Sequence, residues 1–373
     1  MRKSMIRTTV VLAFATAFFT ACHHEEAPSP LASASDSSPA ASKAAPTIKQ
    51  TSADDLQLQW DLGKVPVPAD NPQSDPKIEL GHQLFFDKRL SADRSRSCYS
   101  CHQNEDGNGG HEPLAVGANG KQLTRHSPVI WNVGYLPKLY WDGRADSLEA
   151  QATAALEGGT MGLGKDKLAD KAAEIAKIPG YKAGFAAAFP GEGASAKTIA
   201  QALASYERTL VCNDTRYDKY AQGNKSALTD QEKRGLEVFT GKAYCIMCHT
   251  PPFFSLAYLG AGAFFDVGIG TEGKDEKDVD VGHMSVTQKE GDWAAFKPPS
   301  LRNVSESAPY FHDGSRVTLE AAVRFMAGGG AKNKNLTPII ADKKLTDQEV
   351  AQIVAFLGAL DCDRTLEPPK KMP

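Results

Sequence analysis

"SCYSCHQNEDGNGGH", residues Ser97 to His111, holds two cysteines two residues apart and a histidine directly after the second. Three chemistries use such a pair: a zinc clip, a redox dithiol and covalent attachment of haem. The chain repeats the pattern in "CIMCH", Cys245 to His249. A zinc site needs four ligands, and merging both pairs into one site leaves His102 and His249 unexplained. A thioredoxin-like pair wants a βαβ setting, and strand signal is poor throughout. Haem attachment needs two thiols spaced to meet two vinyl groups and an imidazole beside them for the iron. One helical turn ending in His supplies all three. We therefore read two c-type haems, one on Cys98, Cys101 and His102, the other on Cys245, Cys248 and His249. His102 and His249 are the expected proximal iron ligands.

The opposite axial position decides the chemistry. Iron with two protein ligands carries electrons, whereas iron with one open face binds peroxide or another small ligand. For the second haem the candidate is Met326, which ends the helical stretch "TLEAAVRFM" and precedes "AGGG", where glycine lets backbone pass close to a planar group. On spacing alone, a core methionine before a glycine cap is the commoner case. Met284, in a polar loop, is the rival; Met247 lies inside its own attachment motif.

Working outward, apolar residues recur at helical spacing in Pro76–Asp87, Lys165–Ile178, Ser195–Leu210, Leu228–Phe239 and Leu345–Leu360. Thr229 with Glu232, and Thr346 with Glu349, form capping-box patterns. The order repeats. Each half has a helix with a glycine before "LFF" or "VF", then Cys-x-x-Cys-His and a long Gly-rich loop. A "DG" turn follows ("WDGR" from Trp141, "FHDGSR" from Phe311), then a helix opening "SLEA" or "TLEA". This predicts a mainly α chain of two related modules with long loops and little strand, joined near Asp214 to Gly223. Loops this long usually serve function or wrap something.

The chain has 373 residues and a formal charge of −3, too mild to argue for nucleic acid. Arg2, Lys3 and Arg7 precede an apolar run from Val10 to Phe19, too short to span a bilayer. The run ends in "FTAC", which resembles a bacterial lipobox, with Phe19 where Leu is usual. Residues 1–22 are thus expected to be a lipoprotein-type signal, with a lipid on Cys22 tying the protein to a membrane. Residues 23–55, rich in Ala, Ser and Pro, read as a flexible tether. Residues 56–215 and 216–373 are the two haem domains. Such a chain sits in the periplasm, an oxidising compartment. Cys212 and Cys362 are left over there and are available to pair; two separate free thiols are the alternative.

Several motifs together resemble the bacterial di-haem cytochrome c peroxidases and their relative MauG: "LGHQLFFDKRLS" (Leu80–Ser91), "TRHSPVIWNV" (Thr124–Val133), "YWDGRADSLEAQA" (Tyr140–Ala152), "ASYERTL" (Ala204–Leu210) and "PPSLRNVSESAPYFHDGS" (Pro298–Ser315). The resemblance spans about Pro76 to Leu360. It implies two cytochrome c-like domains, with a low-potential peroxide haem first and a high-potential electron-transfer haem second. It gives Met326 the distal position of the second haem, where MauG carries a tyrosine. It implies that Trp141 stands between the haems, that Gln151 belongs to the peroxide pocket, and that His312 lies beside the second haem, bonding a propionate.

Three departures qualify the resemblance. Ala118 stands where activation-dependent peroxidases hold a removable histidine, which implies a peroxide haem open without activation; His111, in a loop tip, is the substitute to consider. Thr160 stands where the family has its acid–base glutamate, and Glu157, three residues upstream, is the substitute there. A group that moves a proton between the peroxide oxygens is needed. His126 replaces an asparagine near an inter-haem calcium, so calcium is expected only through backbone carbonyls. The reading is a peroxidase reducing hydrogen peroxide with electrons from a small cytochrome c or copper protein, with a homodimer as a further expectation. Its rivals are a MauG-like oxidase acting on a side chain of a partner protein and a lipid-tethered electron carrier. The acidic loop Glu272–His283 reads as solvated, with docking of a basic donor as the alternative.

Overall fold

The computed structural model describes residues 51–260 and 263–373. The signal, the lipobox at Cys22 and all but the end of the tether lie outside them. The helices are α1 (Asp75–Phe86), α2 (Leu148–Glu157), α3 (Leu168–Ile175), α4 (Pro179–Ala188), α5 (Ala196–Glu207), α6 (Arg216–Ala221), α7 (Asp230–Thr240), α8 (Met284–Thr287), α9 (Leu319–Ala327) and α10 (Asp347–Gly358). Among the described residues, β pairing is limited to isolated bridges. The chain is mainly α with little strand, as its periodicity predicts.

Two helix crossings organise the chain, and they match. Pro76 opens α1, and Ser195 caps α5. The pair crosses where Gly81 brings its backbone against α5; a Cβ there would stand 1.9 Å from the Ala202 carbonyl oxygen and 2.9 Å from Tyr206 Cβ. Both expected capping boxes form, at Thr229 with Glu232 and Thr346 with Glu349. They start α7 and α10, which cross at Gly235, where a Cβ would stand 2.0 Å from the Gln352 oxygen and 2.7 Å from Phe356 Cβ. Each crossing supports its own buried cluster. Leu80, Leu84, Phe85, Ile199 and Leu203 belong to the first, and Leu236, Phe239, Phe254, Ile353 and Phe356 to the second. Full burial of such side chains contributes about 1.5–3 kcal/mol each.

The expected helix at Lys165–Ile178 is shorter, because Pro179 opens a separate helix, α4, whose alanine-rich face carried no clear period. The two "DG" turns are equivalent. Each is closed by a bridge, Leu139 to Ala145 and Tyr310 to Arg316, and each holds an aromatic residue at positive φ, Tyr140 at 65° and Phe311 at 71°.

The two ends of the described residues cross between the clusters. Ala53, in the stretch expected to be tether, is buried in the second cluster, and its N–H donates to Glu237 Oε1 at 2.9 Å. Leu366, from the C-terminal tail, is buried in the first. Asn104 grips that tail through both the N–H and the carbonyl of Leu366. Cys212 and Cys362 form a disulfide across 150 residues, so the leftover cysteines pair. Their backbone partners match too. Asn132 Oδ1 accepts from Cys212 N–H and Asn303 Oδ1 from Cys362 N–H, both at 2.9 Å, and both asparagines are left-handed. The Asn303 loop is fixed by Arg302, fully buried, which donates two 2.7 Å hydrogen bonds to Asp218 of α6.

Candidate functional site

The first attachment segment is a single 3₁₀ turn, Tyr99–Cys101, ending at His102. Cys98 and Cys101 are both free thiols. Burial pushes both thiol pKa values up, the reverse of what a reactive thiolate needs. His102 Nδ1 lies 3.2 Å from the Asn108 carbonyl oxygen. A carbonyl only accepts, so Nδ1 carries the proton and Nε2 presents its lone pair. Burial holds the His102 pKa down at about 4, keeping the ring neutral as iron ligation requires. Asn108 is fixed in turn by the Trp131 indole N–H, 3.0 Å from its Oδ1.

The second segment repeats this. Cys245–Met247 is a 3₁₀ turn, Cys245 and Cys248 are free, and burial pushes Cys245 up to about 12. His249 Nδ1 donates to the Phe254 carbonyl at 3.0 Å, and burial lowers its pKa. Among the described residues no three His, Cys, Asp or Glu side chains converge as metal ligands, so neither pair has the partners of a zinc clip.

A cavity of about 600 Å³ opens beside the first segment, lined by Cys101, His102, Gln151, Ala155, Thr160 and Glu207 among others. A smaller one of about 60 Å³ shares these residues and adds Cys98. Paired thiols and a neutral, oriented imidazole facing a cavity of this size fit a covalently attached haem. Trp141 also lines the larger cavity. Its indole N–H donates to the His126 carbonyl at 2.8 Å, and its carbonyl accepts from Lys297 N–H. His312 lies edge-on to Trp141 with ring centroids 6.4 Å apart and stacks on Phe296 at 3.7 Å. The His126 N–H donates to the His312 carbonyl at 2.7 Å. Trp141, His126 and His312 thus form one buried knot joining the halves.

Met326, His249 and His312 line neither cavity. α9 reaches the second segment through the apolar cluster that packs Leu319, Ala322 and Val323 with Cys245 and Ile246. Lys343 ties the end of α9 to the same place: its N–H donates to Ala327 and its ammonium lies over the Tyr244 ring. Met284 packs elsewhere, against a cluster of Val279, Trp293 and Ala294, and Met247 is 49% exposed. In the helices after the "DG" turns, Ser147 caps α2 and Thr318 caps α9. Counted from these caps, the position of Met326 is Ala155 in the first half, and that of Gln151 is Ala322 in the second.

Glu157 lines neither cavity. Ala118 is buried, its N–H donating to the Thr160 carbonyl at 3.0 Å, and it does not line the cavities either. His111 is exposed and bonds Asp106 at 3.0 Å. His126 turns its Nδ1 to the Glu112 carbonyl at 2.9 Å. Sequence reasoning does not single out Glu207, because it falls on the regular period of α5. A signal is present: it follows Tyr206 as Leu357 follows Phe356, the two aromatic residues that meet the crossing glycines.

Comparison with known proteins agrees with this geometry. The family model of di-haem cytochrome c peroxidases matches residues 75–226. Cytochrome-c peroxidase IdrP1 of Pseudomonas sp. strain SCT is 34% identical, over 86% of this chain and 90% of that protein. The methylamine utilization protein MauG of Methylorubrum extorquens is 35% identical, over 80% of this chain and 82% of its own. Among solved structures, a MauG-like protein associated with microbial copper homeostasis superposes with a TM-score of 0.74 at 32% identity, covering 83% of this chain and 97% of that one.

Proposed function

Because this chain belongs to the di-haem cytochrome c peroxidase and MauG family, we propose that it is a peroxidase that reduces hydrogen peroxide at its first attachment site and takes in electrons at its second. The single observation that carries this reading is Ala155 in the seat that Met326 has in the second half. A methyl group offers iron nothing, whereas a thioether is a ligand that raises potential. When bound, the haems supply iron that exchanges electrons and, at an open face, takes peroxide.

The chain's own groups do the rest. Cys98 and Cys101 tether, and His102, oriented by Asn108, ligates. Gln151 presents an amide to the same cavity for a bound peroxide. Trp141, fixed by His126 and Lys297, provides the electron path between the halves. Ala118, packed against Thr160, contributes no side chain that could close the open face. Met326 serves the second haem, and His312, beside Trp141, faces the same junction. A small cytochrome c or copper protein in the periplasm is the proposed donor, with the protein held at a membrane by Cys22.

A MauG-like oxidase of a protein side chain is the second reading, favoured by Thr160 where a carboxylate is expected. Steady peroxide turnover with reduced cytochrome c distinguishes the two. Its absence, together with a long-lived oxidised state of both haems after peroxide, favours the oxidase.

A further inference from the structure

Glu207 ends α5 and lines both cavities beside His102, Gln151 and Thr160. Its Oε2 is buried without a hydrogen-bond partner. The adjacent cation does not answer it: Arg208 gives both terminal nitrogens to Glu149 of α2, at 2.8 and 3.0 Å. The other ionisable groups that sense Glu207 are Cys98 from the attachment segment, Tyr140 from the "DG" turn and Tyr206 on α5 itself. From α1, His82 stacks on Tyr206. From α3, Lys171 and Glu174 pair with each other. Lys121, Arg125, Arg144 and Lys297 also line the larger cavity, Arg125 and Arg144 paired with Asp142. None of the four forms an ion pair with Glu207, and an unpaired buried charge is costly. Burial accordingly pushes the Glu207 pKa up to about 8, with Glu149 adding to the rise and Arg208 opposing it.

The second half has no carboxylate at the matched place; its own buried, unpartnered carboxylate oxygens, on Asp266 and Asp361, line neither cavity. The matched crossings set Tyr206 against Gly81 and Phe356 against Gly235, so the counterpart of Glu207 is Leu357, buried in the second cluster.

We propose that Glu207 is the proton acceptor coupled to electron entry at the first attachment site, and that Leu357 leaves the second site uncoupled. Above the pKa that Glu207 has with ferric iron, when a one-electron donor takes the iron there from ferric to ferrous, the Glu207 carboxylate binds one proton from solvent. Electron and proton arrive together, and the net charge of the cavity is unchanged. The proposal rests on the reading that Cys98, Cys101 and His102 carry a haem. It also gives the pocket with Thr160 a carboxyl group that stores a proton.

The test is a spectroelectrochemical titration of the holoprotein from about pH 6 to about pH 10. At low pH Glu207 is protonated in both redox states and the midpoint is flat. Above its ferric-state pKa, one couple falls with pH by one proton per electron, about 59 mV for each tenfold change in proton activity. The other couple stays flat. Glu207→Gln and Glu207→Leu, with both haems still present by mass, lose the slope. Redox-difference infrared spectra on the alkaline side gain a protonated-carboxyl band on reduction, and Glu207→Gln lacks it. A flat wild-type couple, a slope that survives in the variants, or no carboxyl band on reduction overturns the proposal. The infrared arm needs only the wild type to overturn the proposal, since the absence of a carboxyl band does so even if neither variant folds. A mass short of two haems overturns the attachment reading itself, and is distinguishable from the other failures.

Discussion

In the first half, the helix after the "DG" turn carries Gln151 and then Ala155 towards its attachment segment; in the second, the same places hold Ala322 and Met326. At the end of the paired helix the first half has Glu207 and the second Leu357. Around these differences the scaffold is held nearly constant. The crossing glycines, the 3₁₀ attachment turns, the carbonyl-bonded histidines and the left-handed asparagines all recur. Divergence is thus concentrated on the helices that follow the "DG" turns and the ends of the paired helices. On the function proposed above, the first half keeps small and polar groups for a ligand from solution, and the second keeps apolar ones and a thioether.

The severest way to break this comparison is to remove one attachment at a time. Cys98→Ser with Cys101→Ser should leave a protein one haem short by mass and without peroxide turnover. Cys245→Ser with Cys248→Ser should also lose one haem, yet keep spectral changes on adding peroxide. Equal loss of peroxide binding in both would mean that the halves are not specialised.

Exchanging the axial seats tests specialisation more finely. Ala155→Met should give the first iron a second protein ligand, read as a low-spin spectrum with slowed peroxide reaction. Met326→Ala should lower the high-potential couple and leave the low-potential couple in place. Gln151→Ala should slow peroxide turnover by about 10²-fold, the usual loss when a hydrogen-bond donor to developing charge is removed. An unchanged rate would remove Gln151 from the pocket's working parts.

The scaffold was largely legible because it depends on local rules. Thr229 with Glu232 and Thr346 with Glu349 announce two helix starts, and both form. The Cys-x-x-Cys-His pairs announce the attachment turns. What stayed hidden depends on distance in space. Cys212 and Cys362 lie 150 residues apart, so the sequence offers their pairing beside two free thiols as the alternative; the structure brings them together, each beside a left-handed asparagine. Glu157 is suggested by its nearness in sequence to Thr160, yet it lines neither cavity, whereas Glu207, from another helix, lines both. The places of Ala53 and Leu366 are equally invisible in the sequence: each packs into the cluster of the opposite half.

That exchange of ends, with the disulfide, makes the halves depend on one another, and the dependence can be measured. Cys212→Ser with Cys362→Ser should lower stability by about 3 kcal/mol, since the bridge closes a long loop in the unfolded chain. Denaturant unfolding with and without reductant checks this. If the midpoint is unmoved by reductant in the wild type, the ends and cores alone hold the halves together.

The last comparison concerns Glu207 and stability. Its folded pKa of about 8 lies above the ordinary glutamate value. Below that ordinary value the carboxyl is protonated in both folded and unfolded chains and contributes nothing to the pH dependence. As pH rises, the unfolded chain releases the proton while the folded chain keeps it, so folding loses stability until pH passes the folded value. Glu207→Leu copies the second half and should relieve this penalty. Denaturant midpoints of the variant and the wild type should differ least near pH 4, with the variant's advantage growing towards pH 8 and level above it. A gap that stays constant with pH would mean that the substitution acts through packing alone, and that Glu207 has no more titrating character than Leu357.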